Sequence, residues 1–411
     1  MPTREEALAE LGGVFGTIAA EYDEKGLLLP ADSTAIANAW RPRRGFPSRR
    51  RAAWETSIIS RRLPDNSVPR PRPLTLAVQS DMPEQPNAML SDRRGPVARW
   101  VGYLVGTLIL LACAGALYQS IGGMRDRRSN PPPGRFVEVG GLRMHLVCTG
   151  QGSPTVVLDS GLSDTWLHWY KVQPEVAKFA RVCAYDRAGL GWSDPRPGPR
   201  TSRVIAEELH TLLRNAGVAP PFVLVGHSMG GLDVLMYASL YRAEVVGMVL
   251  VDSSHPDQYR RFPAQIKSGA AAWLRAMKRD RVLMRFGVPR LLGWCGTALP
   301  ERRAEFRAFD CTVQQKLGTM AEIAGFEESL GQVRETGSLG DLPLVVVSEA
   351  PPDAAAKRFL SFWYPLQDEL AHRSSRGRRV IAEGSSHQVH RDRPDVVIAA
   401  IRDVVNQSRR E

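Results

Sequence analysis

The chain has 411 residues, of which 43% are hydrophobic and 24% are charged, a composition typical of a globular protein with a large core. Its net charge is +11, but ten arginines and only two acidic residues lie between Arg41 and Arg72, so much of the excess belongs to one segment. The sequence shows no nucleic-acid-binding motif, phosphate loop or dinucleotide fingerprint. We therefore predict no nucleic-acid partner and no cofactor.

The five cysteines show no CxxC pair and no cluster with histidine at the spacing of a zinc site. We therefore predict no metal site. Cys295 and Cys311 lie in one segment, and two interpretations stay open for them: a disulfide in an oxidising compartment, or two buried thiols.

Residues 1–95 are predicted to be a basic and largely disordered region, because their middle part is rich in proline and arginine. The stretch from Thr3 to Tyr22 is compatible with one helix. Met89 opens a short basic lead before an apolar segment and is an alternative start of the chain. In that case the first 88 residues are a mis-assigned extension.

Residues 101–121 carry no charge and are long enough to cross a bilayer as a helix, for which about 20 residues are needed. Trp100, Tyr103 and Tyr118 lie near the ends, where aromatic rings favour the membrane interface. A buried soluble helix and a cleaved signal peptide are the alternatives. We predict one transmembrane helix over residues 96–123, with the bilayer as the partner of residues 101–121. The arginine-rich segment before it favours a cytoplasmic N terminus and an extracytoplasmic domain after it.

A proline-rich linker is predicted over residues 124–134, and the pattern changes at Arg135. Short β-branched runs then alternate with amphipathic helical segments, which indicates a mostly parallel sheet with helices on both faces and two hairpin-like strands leading in. Eight such runs are present: FVEV, RMHLVC, TVVLDS, RVCAYD, FVLVGHS, MVLVDS, LPLVVVS and RVIAEGSS. Residues 257–340 carry no strand pattern, so we predict a helical cap between strands 6 and 7 of a domain spanning 135–411.

The stretch FVLVGHSMGG, residues 222–231, places an apolar strand before Gly-His-Ser-Met-Gly and a helical pattern after it. This is the GxSxG nucleophile elbow in the strand-turn-helix context that it requires. The strained turn presents the hydroxyl of Ser228 at the tip of the sheet, and the flanking glycines remove side chains that would clash. We predict Ser228 as the nucleophile and the amide of Met229 as an oxyanion donor.

On these motifs the chain from about Arg135 onward resembles the α/β-hydrolase fold superfamily, in particular capped esterases, prolyl aminopeptidases and haloperoxidase-like members. Two further stretches support the resemblance: YDRAGLGWSD, residues 185–194, and LDSGLSDTW, residues 158–166. The first resembles the structural turn after the fourth strand, so Asp186 and Arg187 are interpreted as holding that turn. The second occupies the place of the oxyanion loop, and the resemblance implies the amide of Leu162 as the second donor.

The resemblance also implies the chain order serine, acid, histidine for the catalytic residues. His387 follows the eighth strand and two small residues, which is the family's position for the base, and His390 is its rival. His227 is interpreted as a packing residue, and His255 precedes the position that the order requires.

Four carboxylates are candidates for the acid. The usual site after the seventh strand offers Glu349 and Asp353, but the family's glycine-aspartate pattern is missing there. Some members place the acid after the sixth strand, where Asp252 ends MVLVD. We predict Asp252, with Asp353 as the alternative acid and Asp257 as a weaker candidate; a turn-capping role for Asp252 stays open.

A serine at the elbow argues against epoxide hydrolases and haloalkane dehalogenases, whose nucleophile is aspartate. The expected function is a membrane-anchored serine hydrolase that cleaves a carboxylic ester or lipid-like acyl substrate through an acyl-enzyme. Apolar and basic residues interleave in the cap, which is compatible with a solvated helix or with a face resting on the bilayer. An aminopeptidase is the first rival, because cap glutamates could bind a substrate amine: Glu301, Glu305, Glu322, Glu327 and Glu328. A binding protein without turnover is the second.

Overall fold

The computed structural model describes residues 96–262, 264–351 and 354–410. The predictions for residues 1–95, including the start at Met89, and the alternative acid Asp353 lie outside the described residues. By its contacts the chain divides into two units, one formed by Leu28–Gly106 and one that includes Thr107–Glu411. The sheet and its helices belong to the second unit.

The first helix, α1, spans Pro96–Ser129. Its stretch Ala98–Ser129 is long and apolar enough to cross a membrane, and none of the apolar window is buried. The helix extends beyond the predicted end at residue 123, so residues 124–129 of the predicted linker are helical. They contain neither proline nor glycine. The helix ends shortly before Pro131, because a proline disfavours helical backbone at the residue before it.

An eight-stranded sheet forms the centre of the domain, in the order β1-β2-β4-β3-β5-β6-β7-β8. Strands β1 and β2 pair antiparallel, β2 also pairs antiparallel with β4, and the remaining pairs are parallel. This confirms the predicted mostly parallel sheet with a leading hairpin. The strands are Arg135–Val139, Leu142–Thr149, Thr155–Asp159, Val182–Tyr185, Phe222–His227, Val245–Val251, Leu344–Ala350 and Gly377–Glu383.

Helices cover both faces of this sheet, because its central strands are apolar on both sides. On one face lie α3 (Ser202–Asn215), α4 (Met229–Leu240) and the end of α10 (Ala354–Ala371). On the other lie α2 (Gln173–Val176) and α12 (Pro394–Ser408), with the short α11 (Val389–Asp392) before the latter.

The segment between β6 and β7 is the helical cap. It contains α5 (Gln258–Arg261), α6 (Ala264–Arg285), α7 (Val288–Leu291), α8 (Arg303–Asp310) and α9 (Val313–Arg334). The last of these helices joins the main core through Phe326, Leu330 and Val333, which lie with residues of α3 and α4. The cap is therefore packed directly onto α3 and onto α4, the helix that begins immediately after Ser228.

Two disulfides are present among the described residues, and Cys113 on α1 is the free cysteine. Cys148 and Cys183 join the neighbouring strands β2 and β4, where they stand opposite each other in register. Cys295 and Cys311 close the middle of the cap. Of the two interpretations of Cys295 and Cys311, the structure shows the disulfide.

Candidate active site

Ser228 lies on a sharp turn between the carboxyl end of β5 and the first turn of α4. Its backbone has a φ of 52° and a ψ of −119°, a conformation that non-glycine residues rarely adopt and that is typical of functional turns. The turn requires a glycine at 230, because a Cβ there would lie 2.5 Å from the carbonyl oxygen of Ser160. The loop after β3 therefore approaches the backbone of the elbow directly.

His387 connects the serine to a carboxylate. Its Nε2 lies 3.0 Å from Ser228 Oγ, and its Nδ1 lies 2.5 Å from Asp252 Oδ2. A carboxylate can only accept, so the geometry implies a proton on Nδ1 and a lone pair on Nε2 that faces the serine hydroxyl. All three side chains are buried.

The histidine is held by the loop after β8. The hydroxyl of Ser385 donates to the carbonyl of Ala382 at 2.7 Å, and the backbone amide of Ser386 donates to Asp392 at 2.9 Å. The two small residues that marked the base in the sequence thus shape the turn that presents it.

Asp252 follows the end of β6 in a left-handed conformation, with a φ of 41°. While Oδ2 faces His387, Oδ1 accepts hydrogen bonds from the indole of Trp363 at 2.8 Å and from the amide of Glu349 at 3.1 Å. Both oxygens are therefore engaged and the carboxylate is held in one orientation. This arrangement differs from a turn cap, because its partners come from α10, β7 and the loop after β8.

Of the other candidate acids, Asp257 lies away from His387 and Glu349 lies close to it. Asp257 pairs with Arg334 at 2.7 Å in the cap. Glu349 is the last residue but one of β7, and its carboxylate, that of Asp252 and a ring nitrogen of His387 lie within 4.8 Å of one another. The usual strand therefore also brings a buried carboxylate to this edge of the sheet.

The structure places the two predicted oxyanion donors on opposing segments. Met229 begins α4, and Leu162 lies on the loop that follows β3. The close approach of Gly230 to Ser160 brings these segments together next to Ser228. The amide of Ser163, with a φ of 69°, donates to Glu322 of the cap at 2.8 Å, so α9 anchors the loop just beyond Leu162.

A buried ion network supports this loop. Arg187 donates to Glu322 at 2.6 Å, to Asp159 at 2.7 Å and to the carbonyl oxygens of Ser160 and Gly161. Burial alone would lower the pKa of Arg187, but the facing carboxylates of Glu322 and Asp159 hold that pKa well above its usual range. The carbonyl of Arg187 accepts from the amide of Leu190 at 3.0 Å within the turn, while its side chain reaches beyond the turn to the loop after β3.

Asp186 does hold the turn after β4. It accepts from the amide of Trp192 at 3.0 Å within the turn, and from the amide of Trp166 at 3.0 Å. It also pairs with the buried His145 of β2 at 2.8 Å.

Two other histidines, His227 and His390, lie beside His387 without taking its place next to Ser228. His227 donates from Nε2 to the carbonyl of His387 at 3.0 Å, and burial lowers the pKa of His227 well below its usual range. The ring of His390 lies 4.3 Å from that of His227 and packs against Trp169. A ring nitrogen of each could approach a cation together with Asp164, since these ligand atoms lie within 4.8 Å. The elbow motif predicts only a packing role for His227, and its bond to the carbonyl of His387 is visible only in the tertiary structure.

The comparisons with known proteins agree with this architecture. The sequence matches the model of the Alpha/beta hydrolase family over residues 156–400. It is 27% identical over 260 residues to the uncharacterized protein YqjL of Bacillus subtilis, which covers 62% of this chain and 85% of YqjL. An uncharacterized vacuolar membrane protein of Saccharomyces cerevisiae is 32% identical over 133 residues, covering 28% of this chain and 21% of that protein.

Among solved structures, a thermophilic esterase from Thermogutta terrifontis with bound malate superposes with a TM-score of 0.50 at 21% identity, over 67% of this chain and 98% of that chain. Similar structures include both esterases and epoxide hydrolases, so this likeness shows the fold alone. The family match spans more than half of the chain and includes Ser228, Asp252 and His387. The family match, the strand order of the sheet and the turn at Ser228 all point to the same fold. The chain belongs to the alpha/beta hydrolase family.

Proposed function

We propose that the chain is a serine hydrolase that cleaves a carboxylic ester through an acyl-enzyme. The observation that carries the proposal is the continuous contact from Ser228 Oγ through His387 to Asp252, at 3.0 and 2.5 Å. A serine hydroxyl is a weak nucleophile until a base removes its proton, and an oriented imidazole supplies that base.

The proposed reaction has two stages. Ser228 Oγ attacks the ester carbonyl while His387 Nε2 takes the hydroxyl proton, and Asp252 stabilises the imidazolium that forms. The amides of Met229 and Leu162 stabilise the oxyanion. His387 then donates the proton to the leaving alcohol, and a water activated by the same base releases the acid.

Two rival functions have less support. In an aminopeptidase a cap glutamate would bind the substrate amine, but both oxygens of Glu322 already contact Arg187 and the amide of Ser163. Glu327 and Glu328 are exposed on α9. A binding protein without turnover would not require the base to face the serine hydroxyl at hydrogen-bond distance.

The test is labelling of the purified full chain with a fluorophosphonate probe, combined with turnover of short acyl esters and proline arylamides. We expect one label at Ser228, ester turnover, and loss of both in Ser228→Ala. Ser375→Ala, which removes an exposed hydroxyl, is the control and should behave as the parent does. Labelling that persists in Ser228→Ala contradicts the proposed nucleophile, and turnover of arylamides alone favours the aminopeptidase.

We further propose that α1 anchors this hydrolase in a membrane as a single span, with the catalytic domain on the extracytoplasmic side. Between Arg99 and Gln119, helix α1 has no charged or amide side chain. That stretch of helix measures about 28 Å, close to the thickness of a bilayer core. The likeness to a yeast vacuolar membrane protein also supports membrane association.

A further inference from the structure

The C-terminal part of α1 is bound to the cap by polar contacts. The amide of Gln119 donates to the carbonyl of Cys311 at 2.6 Å and accepts from Arg290 at 3.1 Å. About two helical turns further on, Asp126 pairs with Arg290 at 2.5 Å and with Arg307 at 3.5 Å. Hydrogen bonds and ion pairs therefore hold the end of the proposed span against the cap.

The backbones also approach closely on the membrane side of these contacts. A Cβ at position 115 would lie 2.4 Å from the carbonyl oxygen of Phe286, so the approach requires glycine at that position. Gly115 precedes Gln119 by one helical turn, about 6 Å along the axis. Phe286 consequently lies level with the apolar part of α1.

Four apolar side chains of the cap are exposed in this region. We call Val282, Phe286, Leu291 and Leu292 the apolar cap edge; their exposed fractions are 49%, 41%, 74% and 53%. Exposed cations accompany them on α6, namely Arg275, Lys278, Arg279 and Arg285. Phe286 lies level with the apolar part of α1, and Leu291 and Leu292 follow Arg290, which contacts α1 at Gln119 and Asp126, just beyond that part. Apolar residues at the end of a span, with cations around them, are typical of a segment that enters the headgroup and acyl boundary.

The cap also connects this edge to the loop after β3, the predicted oxyanion loop. Phe306 and Phe309 of α8 cluster with Leu167, which follows the oxyanion loop. Cys311, which directly follows α8, is the residue whose carbonyl Gln119 contacts. From the other end of the cap, Glu322 holds the loop itself. Helix α8 therefore contacts α1 through Arg307 and the start of the segment after the oxyanion loop through Phe306 and Phe309.

We propose that the apolar cap edge inserts into the leaflet that α1 enters, and that the substrate is an acyl ester of a bilayer-resident amphiphile, admitted beneath the cap. The occupant of this surface is the lipid itself, since the edge is continuous with the exposed apolar surface of α1. The substrate part of the proposal rests on the proposed serine hydrolase activity.

The test uses the full chain in phosphatidylcholine vesicles with a minor share of phosphatidylglycerol. Leu291→Asp with Leu292→Asp should lower hydrolysis of a long-chain diacylglycerol in the vesicles by about tenfold or more, and leave turnover of a soluble short-chain ester unchanged. The control is Phe136→Asp with Ile381→Asp, which places the same charges at positions of β1 and β8 exposed by 41% and 40%. Unfolding curves check that each variant folds.

A second readout reports insertion without activity. In a Cys113→Ser background, an environment-sensitive fluorophore on Leu291→Cys should be quenched by lipids that carry a nitroxide near the top of the acyl chain. The same fluorophore on Phe136→Cys should not be quenched. Cross-linking between copies at position 291 without quenching would assign the edge to a second copy and overturn the proposal.

The outcomes separate the two proposals. If the aspartate variant loses turnover of both esters equally, or of neither, the inference about the cap edge is overturned, while the proposed ester hydrolase activity is unaffected. No turnover of any ester by the parent chain overturns the proposed function, whereas quenching still decides whether the edge inserts. Quenching without hydrolysis of the vesicle ester overturns the proposed substrate class.

Discussion

Asp252 illustrates how one residue's backbone and side chain serve the same end. Its left-handed conformation turns the chain immediately after β6, where an asparagine or aspartate is the least strained non-glycine residue. The turn leaves the carboxylate beneath His387, with Trp363 and the amide of Glu349 holding its second oxygen. The carboxylate of Asp252 is therefore oriented by three separate elements.

We expect Asp252→Asn to lower kcat for a soluble ester by about a thousandfold to ten-thousandfold. Asparagine keeps the volume and can still accept from Trp363, but its amide group would face Nδ1 and favour the tautomer in which Nε2 is protonated. The unfolding curve should change little. Steady-state kinetics and urea unfolding of the purified full chain measure the two effects.

The control for that change is Asp353→Asn, which removes the alternative acid and should alter kcat little. Glu349→Gln is the second comparison, because this carboxylate lies beside the triad. A large loss in Asp353→Asn with normal turnover in Asp252→Asn would move the acid to the seventh strand.

At the scale of elements, the cap helix α9 contacts the loop after β3 through buried polar side chains. Glu322 reaches Arg187 and the amide of Ser163, while Thr319 one turn earlier contacts the Ser163 hydroxyl at 2.8 Å. The loop between β3 and Trp166 thus receives its shape from a helix more than 150 residues later in the chain. The position of the cap and the shape of this loop are therefore expected to be coupled.

We expect Glu322→Gln to lower the free energy of unfolding by about 3 kcal/mol, because it leaves the buried Arg187 with less compensating charge. It should also lower kcat by about tenfold to a hundredfold through displacement of the oxyanion loop. Urea unfolding and ester kinetics test this. Glu327→Gln, exposed on the same helix, should leave both unchanged; equal effects of the two substitutions would contradict a specific role for the network.

At the scale of the whole molecule, the two disulfides bear on the proposed extracytoplasmic position of the domain. One joins neighbouring strands and the other closes the cap. Disulfides form and persist in oxidising compartments and are rare where thiols are kept reduced. They accord with the proposed extracytoplasmic position of the domain that follows α1.

Cells are treated with a maleimide before lysis, and the full chain is then denatured in the same reagent. We expect one maleimide to be attached, at Cys113, because the other four cysteines are paired. Reduction should free these four thiols for a second label, and intact mass measures both steps. In Cys113→Ser the first label should disappear. Labelling of all five cysteines before reduction would contradict the pairing and place the domain in a reducing compartment.

Local pattern was enough for several features of this chain. The alternation of β-branched runs and amphipathic segments predicts the sheet, because strand and helix periodicity are properties of short stretches. The fold prediction is confirmed. The span and the elbow were predicted in the same way, since an uncharged helix and a GxSxG turn are each defined within about 20 residues. The catalytic roles of Ser228 and His387 stay predictions.

Other features depended on how distant segments meet. The parallel strands β6 and β7 end at the same edge of the sheet, so the sequence alone leaves Asp252 and Asp353 as alternative acids. Among the described residues, the packing of Trp363 and His387 around Asp252 shows that this carboxylate faces His387. Tertiary contacts likewise assign Glu322 to the oxyanion loop and join Gln119 to the cap. These contacts link residues that are far apart in the chain. Their partners cannot be read from local sequence, because only the folded chain brings them within hydrogen-bond distance.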